Sequence, residues 1–567
     1  MSAVPPPPAP APRLLGPFQL KALLGKSNAS MLWHVTDTRF SQELLLLLPR
    51  KQPESLDAWM DAVRLASKLQ HPALAQPVEI GVADPWPYIA YERGLGLTVD
   101  ERLARHRVPD PQLAATWLEH AAQGLAVIHE AGWHLLDLQP FHLLLADDGK
   151  ARLIGCGLLS SGPNSESQHR VRHQAAVEDD VLCLGLLLNR LLGGHAPLET
   201  TDTAEVIKRL PPQGREFVRL GFEQSHPVQD ALRAIVNRST ATQASQRYLS
   251  ARPLARALEG WLEQVKSPEG GAIAQLLERL QRHGALPMTR PEAVKVISAG
   301  GLESRHTGQA ARLVQQDVAL TLELLRRVNL ARKQTGSTGD VVLRVQRAIK
   351  MLGFAQVAQV AQGLRPWPGV LPPERVLNLR LALARTHKAA EVAVPLAPPG
   401  YDPEMLRLTA LLQNLGRLLM HYHLPDDADQ VQRLMKAPEP SEEQPHPQGM
   451  NERQAAFSVL GCDLDQLAAA ALRHWGLGEE AQQLAHRPEL DSLIHPPHSD
   501  LDALRLTCGL ANELVDALAL QEPRRRHQLE AVTRRYARPM GLTTRDIQQA
   551  LYPEQAQAHI TQTRTVP

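Results

Sequence analysis

The sequence predicts two domains of different class: an α+β domain made of a small β-rich lobe and a helical lobe, followed by an all-α domain. Three observations predict this. The chain has 567 residues, more than one hydrophobic core organises when domains run to roughly 100–200 residues. Its apolar spacing changes from short strand-like runs to helical steps after Thr98. The run Lys266-Ser267-Pro268-Glu269-Gly270-Gly271 then combines Pro, Gly and charge in the manner of a linker. Composition agrees, because aromatics make up only 4% of residues and leucine and alanine fill the apolar positions, which favours helix over sheet.

Taken in order, residues 1–13 begin MSAVPPPPAPAP and read as a disordered polyproline-II tail, without the basic and continuous apolar regions of a secretion signal. Such a tail suits an SH3-like groove, a plain disordered segment being the default. From Phe18 to Ile89, apolar runs cut by turn signals read as strands, with one helix from Ser55 to Leu69 ending before His71-Pro72. Gln112 to Glu130 places Leu113, Trp117, Ala121, Leu125 and Ile128 on one helical face. Two short strands flank Asp147-Asp148-Gly149, and helices resume from Asp179 to Leu192 and from Val228 to Glu263. The first domain is therefore placed at residues 14–265, with a small lobe at about 14–95 and a large lobe at about 96–265, and the linker at 266–271. Residues 272–552 are helical by period, with longer breaks at Pro395 to Pro403 and Pro438 to Pro447, and 553–567 form a tail. No period of roughly 20–50 residues recurs, so a solenoid is not expected.

Charge and cysteine content exclude several classes. Sixty-one Lys+Arg against 60 Asp+Glu leave a net charge of +1, so no global field steers the chain to nucleic acid or an anionic membrane. The arginines Arg524, Arg525, Arg526, Arg534, Arg535 and Arg538 read as a solvated helix face, since Tyr536 alone offers no stacking surface. Cys156, Cys183, Cys462 and Cys508 lie too far apart for a disulfide framework or a thiolate zinc site, and a reducing cytoplasm is expected. Val181 to Leu188 and Leu44 to Leu48 fall well short of the ~20 residues that cross a bilayer, so no membrane segment is expected.

The first domain carries a recognisable series. Leu23-Leu24-Gly25 precedes Trp33-His34-Val35 and Asp37, and Leu69-Gln70-His71-Pro72 follows. Gly132-Trp133-His134-Leu135-Leu136-Asp137-Leu138-Gln139-Pro140 comes next, then Asp180-Val181-Leu182-Cys183-Leu184-Gly185, then Arg247-Tyr248 near Ser250-Ala251. In this order the segments resemble the glycine-rich hairpin, the end of helix C, the catalytic loop, the start of helix F and the final subdomain of bacterial Ser/Thr protein kinases. The resemblance covers nearly all of 14–265. It implies ATP and magnesium as cofactors, and a chemistry that rests on backbone amides over the phosphates, a lysine–glutamate pair, metal-binding side chains and a base near the acceptor hydroxyl.

Measured against that resemblance, most of the chemistry is absent. The hairpin reduces to Gly25, Ser27 and Ser30, and a Cβ at the last two hinders approach of backbone to phosphate. Those three are the weak nucleotide-binding candidates. Leu47 stands at the strand lysine and Ala62 at the helix-C glutamate, with Asp61 adjacent but on another face. In the catalytic loop Asp137 remains as the candidate base, but Leu135 and Leu136 replace His-Arg, Gln139 replaces the lysine and His142 replaces the metal-binding asparagine. Gly155-Cys156-Gly157 puts glycine where the magnesium carboxylate belongs, and hard Mg²⁺ needs oxygen ligands. The reading is a pseudokinase in which Asp137 serves as a hydrogen-bonded loop carboxylate and Asp180 anchors backbone amides. His134 and His142 are read as packing residues and no metal is assigned.

In the second domain, Leu286-Pro287 precedes a predicted amphipathic helix. Gln316-Asp317-Val318-Ala319-Leu320-Thr321 then runs into Leu324-Leu325-Arg326-Arg327-Val328-Asn329, and Arg347-Ala348-Ile349-Lys350-Met351-Leu352-Gly353 follows. These segments resemble the HDOD domain, a helical output module related to HD phosphohydrolases, closely over residues 286–365. Val318, Leu322, Leu325 and Asn329 share one helical face, and Asp317 is positioned as an N-cap. The hydrolases' metal-binding His-Asp doublet becomes Gln413-Asn414, His387 lies near the expected first histidine, and Leu464 replaces another. His421, His423, His474 and His486 are read as surface or packing residues.

The reading is a non-catalytic cytoplasmic signalling protein with protein partners and no cofactor, nucleic acid or membrane. Its alternatives are a divergent Ser/Thr kinase using Asp137 with ATP and magnesium, and an HD-type metal phosphohydrolase. Partner identity, signal and oligomeric state are not encoded in any motif.

Overall fold

The computed structural model describes residues 13–159, 167–267, 270–290, 307–334, 341–437, 449–490 and 492–553. Its contacts divide the chain into two units, one comprising residues up to Gly271 together with Val431–Gly461, the other Ala272–Gln430 with Cys462–Pro567.

The first unit begins with a six-stranded antiparallel sheet of β1 (Leu14–Leu15), β2 (Phe18–Lys26), β3 (Ser30–Asp37), β4 (Gln42–Pro49), β5 (Glu79–Ala83) and β6 (Trp86–Glu92) in the order β1-β2-β3-β4-β6-β5. The sheet is built around the leucine run of β4, which is apolar at successive positions because both faces are covered. Leu45 and Leu47 join Leu32, Ile89, Tyr91 and Phe141 in one cluster. Leu44, Leu46 and Leu48 join Phe18, Val35, Tyr88 and Ala90 in the other. A register slip of one residue would exchange the two sets. Helix α1 (Leu56–Ala66) is capped by Ser55 and buries Trp59 and Val63, with the indole Nε1 donating to the Leu158 carbonyl at 2.9 Å.

A second sheet of β7 (Leu97–Thr98), β8 (Leu143–Leu145) and β9 (Ala151–Leu153) flanks the turn read at 147–149. Thr98 and Glu101 form a capping box at the start of α2 (Val99–Arg105). Asp110 caps α3 (Pro111–Glu130), whose proline sits at the first helical position, where its missing N–H is harmless. Trp117, Ala121, Leu125 and Ile128 are fully buried in the core shared with α4 (Ser167–Gly193), α6 (Asp230–Ser239) and α7 (Ala251–Lys266). Helix α5 (Thr203–Arg209) lies between α4 and α6 in sequence. The helix Glu452–Leu460 belongs to this unit: Phe457 enters the core, and the Ser458 carbonyl accepts from the Tyr248 hydroxyl at 2.6 Å and Arg238 Nη1 at 3.1 Å.

The second unit is helical. Asp317 caps the helix Val318–Gln334 as expected, Oδ1 accepting from Leu320 N at 2.9 Å, while Oδ2 takes the amides of Thr289 and Arg290. Val318, Leu322, Leu325 and Asn329 are all buried, and the Asn329 amide exchanges hydrogen bonds with the backbone of Val342.

Some boundaries differ from the sequence reading. The helix expected from Val228 to Glu263 is interrupted between α6 and α7, where the Thr240 hydroxyl donates to the Val218 and Val236 carbonyls and draws the chain out of helical register. The helix expected from Asp179 begins at Ser167, and the helix Pro373–Leu396 continues through Pro395. The arginine-rich helix Arg524–Met540 is not a wholly solvated face. Arg535 pairs with Glu513 at 2.7 Å, and the fully buried Tyr536 donates to the same carboxylate at 2.6 Å. The predicted tails, the break at Pro438 to Pro447 and the helix after Leu286-Pro287 lie essentially outside the described residues. Among the described residues, no single helix is long and apolar enough to cross a membrane.

Phe457→Ala should lower the unfolding free energy of the first unit by about 3 kcal/mol in a urea titration, as loss of a core aromatic does. The half-exposed Leu65→Ala, as a control, should change it by less than about 0.5 kcal/mol. Equal effects of the two substitutions would refute the placement of Phe457.

Candidate functional site

The loop after α3 is shaped by Gly132, at φ +81°, and by Asp180, whose carboxylate accepts from Leu135 N at 2.8 Å and lies 3.1 Å from His129 Nε2. That anchor is the role expected of Asp180. It presents Asp137, only 6% exposed, to the hairpin between β2 and β3. Asp137 Oδ2 accepts from the hydroxyls of Ser27 at 2.5 Å and Ser30 at 2.8 Å, and Oδ1 accepts from Gln139 Nε2 at 2.7 Å. Ser27 Oγ also accepts from the amides of Ala29 and Ser30, so the serine that ties the hairpin to Asp137 also closes the turn. The two serines read as part of a reduced phosphate cradle are thus brought to the one surviving acidic residue of the catalytic loop.

Gln139, at the loop lysine position, is held on its other side. Its Nε2 donates to Asp202 Oδ1 at 2.9 Å, its Oε1 accepts from Thr203 N at 3.2 Å, and the Thr203 hydroxyl donates to the Leu138 carbonyl at 2.6 Å. The N-terminus of α5 is therefore fastened to the loop. His142 Nδ1 accepts from Gln139 N at 3.1 Å, which places its proton on Nε2, 3.3 Å from Ser30 Oγ. Burial holds this imidazole below its usual range, against the opposing pull of Asp137.

Apolar side chains surround the same point. A Cβ built on Gly25 would stand 2.2 Å from the ring of Phe141, so the bare backbone of Gly25 is in contact with an aromatic side chain. Leu47 lies against Gly155, where a Cβ would meet its Cδ2 at 3.0 Å, and the Gly155 amide donates to the Tyr91 hydroxyl at 3.0 Å. At Gly157 a Cβ would meet Ala66 Cβ at 2.9 Å, so α1 packs directly on the Gly-Cys-Gly segment, with the Ala62 carbonyl close by. Leu47, Phe141, Leu144, Ile89 and Ile154 form one continuous buried cluster. Sequence reading missed Phe141, Tyr91, Asp202 and Thr203. Phe141 alone carried a local signal, as an aromatic next to the loop histidine.

In the second unit the Gln413-Asn414 pair is a junction of amides. Asn414 Nδ2 donates to Asn512 Oδ1 at 2.8 Å, Asn512 Nδ2 to Gln413 Oε1 at 2.9 Å, and Gln413 Nε2 to the Arg505 carbonyl at 2.9 Å. Arg385 and Arg487 both donate to Asn414 Oδ1. The Leu464 carbonyl lies over Gly416, where a Cβ would collide with it at 1.8 Å. The histidines do not gather here. Burial, and then the charge of Arg290, holds His387 below its usual range; His486 pairs with Asp465 at 2.9 Å; and His423 donates from Nε2 to the Ala285 carbonyl at 3.0 Å. Among the described residues, no three His, Cys, Asp or Glu side chains are placed to hold a metal.

Known proteins resemble both parts of the chain, and the HDOD match runs through Val431–Gly461, which packs with the first unit. Residues 286–488 match the HDOD domain family. The N-terminal region is homologous to bacterial Ser/Thr kinases. The serine/threonine-protein kinase PknL of Mycobacterium tuberculosis is 23% identical over 308 residues, covering 48% of this chain and 72% of PknL. The tyrosine-protein kinase MasK of Myxococcus xanthus is 27% identical over 246 residues, covering 38% of each chain. The serine/threonine-protein kinase PknA of Mycobacterium tuberculosis is 19% identical over 266 residues, covering 39% of this chain and 62% of PknA.

His423 supplies a pH test of the second unit. Burial draws its pKa from 6.5 to about 4, so between those values the unfolded chain binds more protons than the folded one. The stability due to neutral His423 is present above about pH 6.5 and is lost progressively as the pH falls toward about 4. Urea titrations across that window should show the stability of the second unit falling with pH, with a shallower slope in His423→Gln. An unchanged slope would show that His423 is not held neutral.

Proposed function

We propose that this kinase-homologous region followed by an HDOD domain is a non-catalytic signalling protein of bacterial type, whose first unit is a pseudokinase and whose second is an interaction and output module. The observation that carries the reading is the saturation of Asp137: both carboxylate oxygens are engaged by Ser27, Ser30 and Gln139 at 2.5–2.8 Å. A general base must reach the proton of an acceptor hydroxyl, and this one already holds two hydroxyls of its own chain.

The surroundings support the same reading. Phosphoryl transfer depends on cations and metal ligands that neutralise and align the phosphates, and Leu47, Ala62, His142 and Gly155 provide no cation–carboxylate pair or oxygen-ligand set where the kinase pattern has them. In the HDOD domain, an amide pair bonded to arginines occupies the place of a metal-binding doublet, which argues against the phosphohydrolase alternative. The proposed partners are therefore proteins, with no nucleotide or metal needed for the activity. The four free cysteines support a reducing cytoplasm as the place of action.

Retention of Asp137 and homology to proteins named as kinases favour one rival, a divergent kinase that opens its cleft and uses Asp137 as base. The two readings separate in a transfer assay with labelled ATP, magnesium or manganese, and a generic protein acceptor. The pseudokinase reading expects no transfer above the blank for the native protein or for Asp137→Asn. Transfer by the native protein that disappears in Asp137→Asn would establish the kinase.

A further inference from the structure

Four elements of the second unit bring charge to one place. Arg385 lies on the helix Pro373–Leu396 and Arg417 on the helix Leu415–His423; Arg487 follows the helix Gly478–Ala485; Asp516 lies on the helix Asp500–Leu518. All three guanidinium groups face the Asp516 carboxylate. Arg385 Nε donates to Oδ1 at 2.5 Å and its Nη2 pairs with Oδ2, whereas Arg417 Nη1 and Arg487 Nη1 each stand 3.8 Å from a carboxylate oxygen, at the outer limit of an ion pair. A planar group with two oxygens makes close contact with one of the three.

Two of the three cations, Arg385 and Arg487, are held by uncharged groups as well. Asn414 Oδ1 accepts from both Arg385 and Arg487, Arg487 Nε donates to the Gln413 carbonyl at 2.7 Å, and Asn414 is held in turn by Asn512 at 2.8 Å. The side chains of Arg385, Arg417 and Arg487 are 16%, 11% and 22% exposed, while Asp516 is 44% exposed. The carboxylate is thus the solvent-facing member, and the one free to turn outward. Burial and then the proximity of Arg417 pull the Arg385 pKa down to about 9, Arg487 adds to the effect, and Asp516 only partly opposes it.

We propose that Arg385, Arg417 and Arg487 form a binding site for a phosphate group, with Asp516 occupying the position of the anion until ligand displaces it. A tetrahedral dianion offers an oxygen to each guanidinium where the carboxylate cannot, and arginine forks match phosphate geometry. The shallow exposure of the cations favours a small ligand, either inorganic phosphate or a phosphomonoester such as a nucleoside monophosphate. No bond is made or broken. The site lies at the position related to a hydrolytic metal centre, but its charge is reversed, so it would select an anion without metal.

The test is isothermal titration of the full chain with inorganic phosphate and, separately, with AMP, at constant ionic strength and without divalent metal. One site per chain is expected for at least one probe, and the tighter of the two identifies the source of the phosphate. Arg487→Gln should weaken binding by about tenfold or more, the scale of one charge-assisted contact. Asp516→Asn should tighten it by several-fold, because the internal competitor loses its charge, an effect that a purely structural salt bridge would not produce. Circular dichroism confirms that each variant is folded. Absence of binding by both probes at millimolar concentration would overturn the proposal, as would an Asp516→Asn variant that binds no more tightly than the native chain.

Discussion

The carboxylate of Asp137 sets the arrangement of the first unit. It is buried, and a buried carboxylate requires hydrogen-bond donors for both oxygens. In an active kinase the donors and cations around such a residue come partly from substrate and metal. Here they come from the chain itself: two hairpin serines on one side and Gln139 on the other, with Gln139 tied in turn to the start of α5. The hydrogen bonds that satisfy the acid also draw the hairpin onto the catalytic loop, which lets Phe141 pack on Gly25 and Leu47 on Gly155. The bonds to Asp137 and the apolar contacts at Gly25 and Gly155 are thus two aspects of one packing arrangement. Lysine at position 47 would place an ammonium among Leu32, Ile89 and Phe141, where it has no partner in the surrounding apolar cluster.

The second unit solves a related problem with opposite charge. A histidine–aspartate doublet holds metal because its side chains converge as donors of electron pairs; Gln413 and Asn414 converge as amides, and amides accept readily from arginine. Arg385 and Arg487 both donate to the Asn414 side-chain oxygen, and Asp516 answers Arg385 from a neighbouring helix. In both units the polar side chains at these positions are bonded to other groups of the chain itself. A fold does not fix the chemistry of the site it carries.

Much of this was legible in the sequence, and the rest was not for definite reasons. Leu47, Ala62 and Gly155 announce themselves, since a missing charge at a spaced position needs no three-dimensional information. The N-cap role of Asp317 and the buried face of its helix follow from local spacing alone. The sequence also located Ser27 and Ser30, but as hindrances to phosphate; their bonds to Asp137 span more than 100 residues and depend on how the lobes close. Asp202 and Thr203 sit in a segment with no motif, and only the path of the chain after α4 brings them to Gln139. The arginine cluster was invisible for the same reason: Arg385, Arg417 and Arg487 are dispersed. The dense run from Arg524 to Arg538 drew attention instead, although Arg535 in it is engaged with Glu513.

The chain's own side chains close the cleft, and native-state hydrogen exchange reads this residue by residue. The Ser30 amide donates to Ser27 Oγ and the Gly155 amide to the Tyr91 hydroxyl, so both report on the interior of the closed cleft. Measured on the full chain, both amides should be protected, and their exchange should be unaffected by millimolar ATP with magnesium. Exchange at Ser30 and Gly155 that slows specifically when ATP and magnesium are added would mean that the cleft admits nucleotide, and would contradict the account.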